Sequence, residues 1–451
     1  MRKRGLLVLF GLLVGVLALV ASGCGGGDQT GAEGGGGSGG GDVQALPSAS
    51  CTGIEYKGEG EPDVLIASDL PMQGSNRTQT VQMVEAIRYI LDQNEWKAGD
   101  TRVGYQVCDD STAQLGKWDT GKCSQNGNSY AQNESLVAVI GTFNSGCAAI
   151  MIPILNQAPG GGVAMVSPAN TYVCLTISGP GCDNSEPAKY YPTGKRNYTR
   201  MVAHDAYQGA AVAQFMQNQG IKNVYILNDK EAYGLGVAEN VRNAAQHLGI
   251  SVAGFDAWDP KAASYEALFR KIKQSGADAV FLGGLIDENG AKLIKDKVAV
   301  LGPNDGDVKL IAPDGFTTQA TIDEAGEAAK GMYATVAGVP SDQLSGAGKD
   351  FVDSFKEEHN LENLDPYTAY AAQAAQVVLD AIAQGGSDRQ AVIDALFSLD
   401  ITSGIVAQEF KIDENGDPTV GPVTVYVATD KFETEEVITP DPELVEAAKG
   451  A

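Results

Sequence analysis

Short apolar runs alternate with amphipathic stretches along most of this 451-residue chain. Leu136 to Ile140 and Gly162 to Val166 are too short for helices and carry no polar residue. Such runs predict strands buried on both faces of a parallel sheet. Each ends in a loop of small, hydroxyl- and amide-bearing residues: Gly141-Thr142-Phe143-Asn144-Ser145-Gly146 after the first, Ser167-Pro168-Ala169-Asn170-Thr171 after the second. Upstream, Val64–Ala67 and Arg102–Val107 read as further strands, and Val81, Val84, Ile87 and Leu91 fall on one helical face. After a Pro-, Gly- and Tyr-rich stretch from Tyr172 to Asn197 the alternation restarts, with strands predicted at 224–227, 252–255, 279–282 and 308–312. Helices separate them, one capped by Ser264 and ended by Gly276, another stopped by Gly249. Tyr367–Gln384 predicts a long helix, Ser387 with Gln390 a capping box, and the tail from Gln408 a β-hairpin turning at Asn415-Gly416. Strand–helix alternation that runs its course twice predicts an α/β protein with two parallel sheets.

The ends and the composition add a destination. Arg2, Lys3 and Arg4 precede an apolar stretch from Gly5 to Val20 and then Ala21-Ser22-Gly23-Cys24, the form of an export signal. The apolar stretch sits near the lower limit of roughly 17 residues for a membrane span. The cysteine after Ser22-Gly23 resembles a bacterial lipobox, which places a lipid on Cys24; Ala21 stands where that motif usually has Leu. The alternative for Cys24 is an ordinary disulfide partner. The expected division is a signal peptide at 1–23 and a lipidated cysteine with a Gly/Ser-rich tether at 24–61, able to span on the order of 30 Å as a random coil. The remainder exceeds the roughly 250–300 residues at which single cores stop growing, so two lobes are expected. Net charge is −25 and no basic cluster follows residue 4, which excludes nucleic-acid binding and suits solubility.

Apart from Cys24 there are six cysteines: Cys51, Cys108, Cys123, Cys147, Cys174 and Cys182. An even number in an exported chain predicts disulfides. Loop closure favours Cys174–Cys182 and Cys108–Cys123, leaving Cys51–Cys147. No cysteine pair has metal-ligand spacing, and His204, His247 and His359 lie far apart, so neither metal nor cofactor is expected.

In open α/β sheets ligands bind beyond the carboxyl ends of the strands, where free N–H groups and hydroxyls hold anions. The two hydroxyl-rich loops therefore predict one pocket. Further markers stand in order along the chain: Pro71, Asp109-Asp110, Val139-Ile140-Gly141 with Ser145, Ser167 to Thr171, Arg200, Asp205, Gln208-Gly209 and Ala232-Tyr233-Gly234. Asp278 to Phe281, Gly283-Gly284, Asp314-Gly315, Ala325-Gly326-Glu327, Gly331 and Asp413 to Gly416 follow. In this order the chain resembles the type I periplasmic solute-binding proteins of the branched-chain amino-acid family, which serve ATP-driven importers.

The resemblance implies two Rossmann-like lobes joined by a three-segment hinge, lobe one at 62–200 with 340–407 and lobe two at 201–336 with 408–440. It implies that Ser145, Ala169, Asn170 and Thr171 hold a ligand α-carboxylate, that Tyr233 packs over the ligand and that Asp314 takes its ammonium. Phe143, Asn144 and Leu285 then fall at the side-chain pocket. Leu285 replaces a frequent Tyr and Asn144 a small apolar or Cys residue, which argues against leucine, isoleucine or valine. Arg77, in a loop where relatives often have an aromatic, takes a second carboxylate if it points inward and is a solvated helix-start residue otherwise. The implied partners are a small solute (an amino acid, or an amide or urea-like molecule) and a membrane permease, with the chain itself monomeric. A sensing receptor of the same fold is the alternative. An enzyme is not expected: no strand leads into a Gly-x-Ser-x-Gly elbow, the Gly-rich tract at 34–41 lies in the tether, and neither His-Glu-x-x-His nor Gly-x-x-x-x-Gly-Lys-Ser/Thr occurs.

Overall fold

The computed structural model describes residues 43–179, 181–419 and 421–450. The export signal, Cys24 and the tether through residue 42 lie outside the described residues. The first sheet uses β1 (Val64–Leu70), β2 (Lys97–Ala98) and β3 (Thr101–Asp109). After a small hairpin of β4 (Ser111–Thr112) and β5 (Lys117–Trp118), it continues with β6 (Leu136–Gly141), β7 (Ala164–Ser167) and β8 (Tyr198–Arg200). Its spatial order is β2-β3-β1-β6-β7-β8, parallel except at β2. The second sheet uses β9 (Asn223–Asn228), β10 (Ser251–Ala257), β11 (Ala279–Gly283), β12 (Lys309–Ala312) and β13 (Tyr333–Ala337). A short pair, β14 (Asp400–Ile401) and β15 (Phe410–Lys411), precedes its last strands, β16 (Val423–Ala428) and β17 (Phe432–Ile438). Here the order is β10-β9-β11-β12-β13-β16-β17, parallel up to an antiparallel hairpin at the edge.

β1, β6, β7 and β11 are buried along their whole length. Helices on both faces remove either side of these strands from water, which is why they read as unbroken apolar runs. In the first lobe α1 (Arg77–Gln93) packs with the helix Thr368–Gly385 on one face, and α2 (Thr120–Gln132) with α3 (Ser145–Asn156) on the other. In the second lobe α4 (Asp205–Asn218) packs on α5 (Ala232–His247), and a last helix, Pro442–Ala448, docks on both. One core cluster joins the α2/α3 face of the first sheet to the α4/α5 face of the second. Among the described residues no helix is long and apolar enough to cross a membrane.

Three local expectations are corrected. Residues 43–61 are docked rather than part of a tether: Leu46 is buried and its N–H donates to Gln106 Oε1 at 2.7 Å, while Thr52 and Glu55 donate to the β3 carbonyls of Val107 and Tyr105. This strap runs antiparallel along β3 beyond β2, bringing Cys51 beside Cys108. The disulfides are accordingly Cys51–Cys108, Cys123–Cys147 and Cys174–Cys182. Chain distance alone misplaced two pairs, because the packing of α2 on α3 decides that Cys123 meets Cys147. Asn415-Gly416 does turn a short antiparallel hairpin, Ile412 bridging Pro418, while a separate, longer hairpin at the sheet edge turns at 429–431. Finally, Asp388 rather than Ser387 caps the helix Arg389–Leu396, its carboxylate accepting from the Ala391 N–H.

Candidate functional site

The carboxyl ends of β6 and β7 face those of β9, β11 and β12 across a cleft. α3 starts at Ser145, after the three-residue loop Thr142-Phe143-Asn144 that follows β6, and the Asn144 side chain at its N-cap makes no capping hydrogen bond. The helix dipole and these N–H groups therefore face the cleft as an anion site. In the next loop Ser167 Oγ accepts from the N–H groups of Ala169 (3.1 Å) and Asn170 (2.8 Å) and donates to the Thr142 carbonyl, folding the chain into a tight turn. Buried Arg200 fixes the far side of that turn through the carbonyls of Asn170 and Tyr172, while its Nε pairs with Asp417 at 2.6 Å. The outcome is Thr171 in the wall with a buried hydroxyl that has no partner.

The opposite wall is acidic. Asp314 Oδ1 accepts from Tyr233 Oη (2.6 Å) and Gln208 Nε2 (2.5 Å), and its Oδ2 from Tyr367 Oη (2.6 Å). The Tyr233 oxygen also receives the Gly315 N–H at 3.0 Å. Gln208 Nε2 reaches a second carboxylate, Asp205 Oδ1, at 3.1 Å, and Asp205 Oδ2 is buried with no partner. Burial raises both carboxyl pKa values, Asp205 well above the ordinary range, with the neighbouring Asp314 charge adding to its rise. Arg200 is near Asp205 but gives its own bonds to Asp417, Thr176 and carbonyls. Two buried acids bridged by one amide are an arrangement that a cation entering the cleft relieves.

Phe143, Asn144, Ser145, Ala169, Thr171, Tyr233, Leu285 and Asp314 all line this space, whose free volume is about 20 Å³ with the lobes as they stand. Two predicted residues do not. The Asn170 amide is committed to the Phe143 carbonyl at 2.9 Å and to Tyr198, so it braces the turn instead. Arg77 is the exposed first residue of α1; its neighbours turn toward the other lobe, Asn76 Nδ2 to Asp287 Oδ2 (2.8 Å) and Ser75 Oγ to Glu324 Oε1 (2.6 Å). Trp118, Glu231 and Tyr367 were not foreseen as lining, nor Asp205 and Gln208 as a support. The last two stood among the family markers, whereas Trp118 arrives on the β4/β5 hairpin, whose placement only the fold reveals. A Cβ at Gly146 would meet Trp118 Cη2 and Cζ2 at 2.6 Å, so glycine there lets the indole lie against the first turn of α3. Lys117 beside it bridges the lobes, pairing with Glu288 and standing 3.8 Å from Glu231.

Two groupings of ligating atoms occur among the described residues, Asp110 with Cys123 and Cys147, and Glu186 with Cys174 and Cys182. Each contains a disulfide, which offers no thiolate to a metal.

Residues 65–432 match the periplasmic binding protein family, and the chain belongs to it. A Leu/Ile/Val-binding protein homolog of Brucella abortus (strain 2308) is 24% identical over 380 residues, 83% of this chain and 92% of that protein. The crystal structure of a leucine binding protein from Thermotoga maritima MSB8 superposes with a TM-score of 0.71 at 24% identity, covering 84% of this chain and 99% of the other. A solute binding protein from R. palustris in complex with benzoate gives 0.67 at 18% identity, covering 84% and 96%. These structures share the fold, and the ligands are theirs.

Proposed function

We propose that this member of the periplasmic binding protein family is the extracytoplasmic solute-binding component of an importer, capturing a zwitterionic amino acid between its lobes. The ligand α-carboxylate would lie on the first turn of α3 with Ser145 and the Thr171 hydroxyl. Its ammonium would lie between Asp314 and Asp205, with Tyr233 over it. Lobe one at 62–200 with 340–407, extended by the strap, and lobe two at 201–336 with 408–440 would close about crossings near 200, 337 and 408. A lipid on Cys24 and the tether would keep the closing clamp beside a membrane permease. The observation that carries the reading is the opposite character of the walls: unpartnered donors on one side, two buried acids without a dedicated cation on the other.

Titration calorimetry with α-amino acids and with analogues lacking either charged end tests it. Removal of the ammonium or the carboxylate is expected to weaken binding by roughly 30-fold or more, as for truncating a buried charge pair of about 2 kcal/mol or more. A simple carboxylate bound as tightly as its amino-acid counterpart would refute the assignment.

A further inference from the structure

We propose that the side-chain compartment of the cleft selects an amino acid ending in a primary carboxamide, glutamine or asparagine, through Asn144, Trp118 and Glu231. The proposal deepens the zwitterion reading above and rests on it for the ligand's orientation. Asn144 occupies the N-cap position of α3, where an Asn side chain normally accepts from the helix's first turn. Here it makes no such bond, and its Oδ1 is buried without any partner in a residue only 4% exposed. Trp118 is 8% exposed and its indole N–H is likewise buried and unpartnered. Both residues line the same space as Glu231, whose Oε2 lies 3.5 Å from where a Cβ of Gly146 would stand.

These groups together call for a particular end group. Asn144 offers an NH2 with two donor hydrogens and a carbonyl acceptor, Trp118 a donor only, and Glu231 acceptors. A carboxamide carries the complementary pair: its NH2 can donate to Asn144 Oδ1 and Glu231, and its carbonyl can accept from the indole or the Asn144 amide. A branched aliphatic side chain would leave the buried amide and indole unpaired, which specificity built on buried polar groups penalises heavily. A carboxylate end would meet Glu231 and Asn144 Oδ1 with the wrong sign. A cationic end would answer Glu231 but leave the indole N–H without an acceptor, close to Lys117. Phe143, Leu285 and Tyr367 supply apolar cover for the intervening methylenes.

The test is titration calorimetry of the full chain with L-glutamine, L-asparagine, L-leucine, L-glutamate and propionamide, for the wild type and for Asn144→Leu and Trp118→Phe. We expect the better amide amino acid to bind at least tenfold tighter than leucine or glutamate. Asn144→Leu should invert that preference, and Trp118→Phe, which keeps an aromatic ring but removes the indole N–H with the five-membered half of the ring, should reduce it severalfold. Leucine binding the wild type as tightly as either amide, or an amide-to-leucine ratio unmoved by Trp118→Phe, overturns the carboxamide assignment while leaving the zwitterion reading intact. Propionamide binding with no response to any amino acid overturns the zwitterion reading and keeps the carboxamide compartment. Silence from all five probes overturns both.

Discussion

The two walls of the cleft meet the ligand in different states of preparation. On the first-lobe wall Thr171 Oγ1, Asn144 Oδ1 and the Trp118 N–H are buried with nothing bound to them. On the second-lobe wall Asp314 already receives three hydrogen bonds, two of them from tyrosines whose burial raises their pKa values and keeps them protonated donors. The first wall is thus incomplete without a solute. The second is fixed in place and over-supplied with negative charge. A preorganised carboxylate costs no reordering when the ammonium arrives, whereas unpartnered hydroxyls and amides set a penalty that only the right ligand removes.

The sharpest way to break this contrast is to neutralise the acidic wall. Asp314→Asn keeps the shape, deletes the charge and replaces one of the two accepting oxygens with an NH2, and calorimetry should record a loss of about 2–5 kcal/mol in amino-acid binding, roughly 30-fold or more. Unchanged affinity would mean that the ammonium sits elsewhere. On the other wall Thr171→Val removes one donor to a charged group, expected to cost about 1.5–3 kcal/mol. Its unfolding temperature without ligand should change little, because the hydroxyl it removes makes no well-formed hydrogen bond and only lies near the Asp205 carboxyl, whose pKa it lowers. A fall in that temperature would give Thr171 a structural role.

How much of this was legible in the sequence follows from how each part is encoded. β6 and β7 could be read because full burial on both faces leaves an unbroken apolar run, and the hydroxyls that follow a buried strand have few structural duties. Asp314 and Tyr233 were reachable only through the resemblance, since a lone Asp-Gly reads equally well as a turn. Trp118, Glu231 and Tyr367 come from three separate elements and meet only because β4/β5 folds over α3 and the helix Thr368–Gly385 returns to the first lobe. Arg77 takes the solvated helix-start place of its two expected ones: at a helix start neighbouring residues point about 100° apart, so Asn76 faces the other lobe and Arg77 faces water. The strap was hidden by its Gly-rich prelude, although Leu46 and Cys51 are the residues that dock it.

Acidity probes the same contrast with a smaller effect. Burial raises Asp229 to about 8, Asp287 to about 7 and Asp69 to about 6, and raises Asp205 and Asp314 as well. Each binds its proton more tightly folded than unfolded, where the value is 3.8, so these groups favour the fold at low pH and lose that contribution as pH rises through about 6 to 8. Burial pushes Asp417 up too, but Arg200 outweighs it and holds the group low, so its opposing effect appears only at the acid end, below the unfolded value. The ligand-free melting temperature should therefore climb by a few degrees from pH 8 to pH 5. The increment from a bound amino acid should shrink as the solution is made more acidic, because burial raises the Asp314 pKa and a protonated carboxyl attracts an ammonium less. An increment that grows toward pH 5 would contradict the acidic-wall assignment.

The smallest expected effect concerns what joins the walls rather than what lines them. Ser75 Oγ donates to Glu324 at 2.6 Å and Asn76 Nδ2 to Asp287 at 2.8 Å, both across the lobes and both outside the ligand space. Neither touches the solute, so they can act only on the balance between open and closed forms. The Ser75 contact is exposed and so contributes about 0.2–1 kcal/mol at most. Asn76 is buried and its loss strips a bond from a buried carboxylate, so Asn76→Ala should exceed Ser75→Ala in effect. If closure grips the solute, both variants weaken binding by roughly two- to fivefold, and the change falls on the dissociation rate, since association precedes closure. Stopped-flow tryptophan fluorescence can separate the two rates, with Trp118 in the cleft as the reporter. A change confined to the association rate would show that these contacts shape the entrance, and the latch would have to be sought at Lys117 and Glu288 instead.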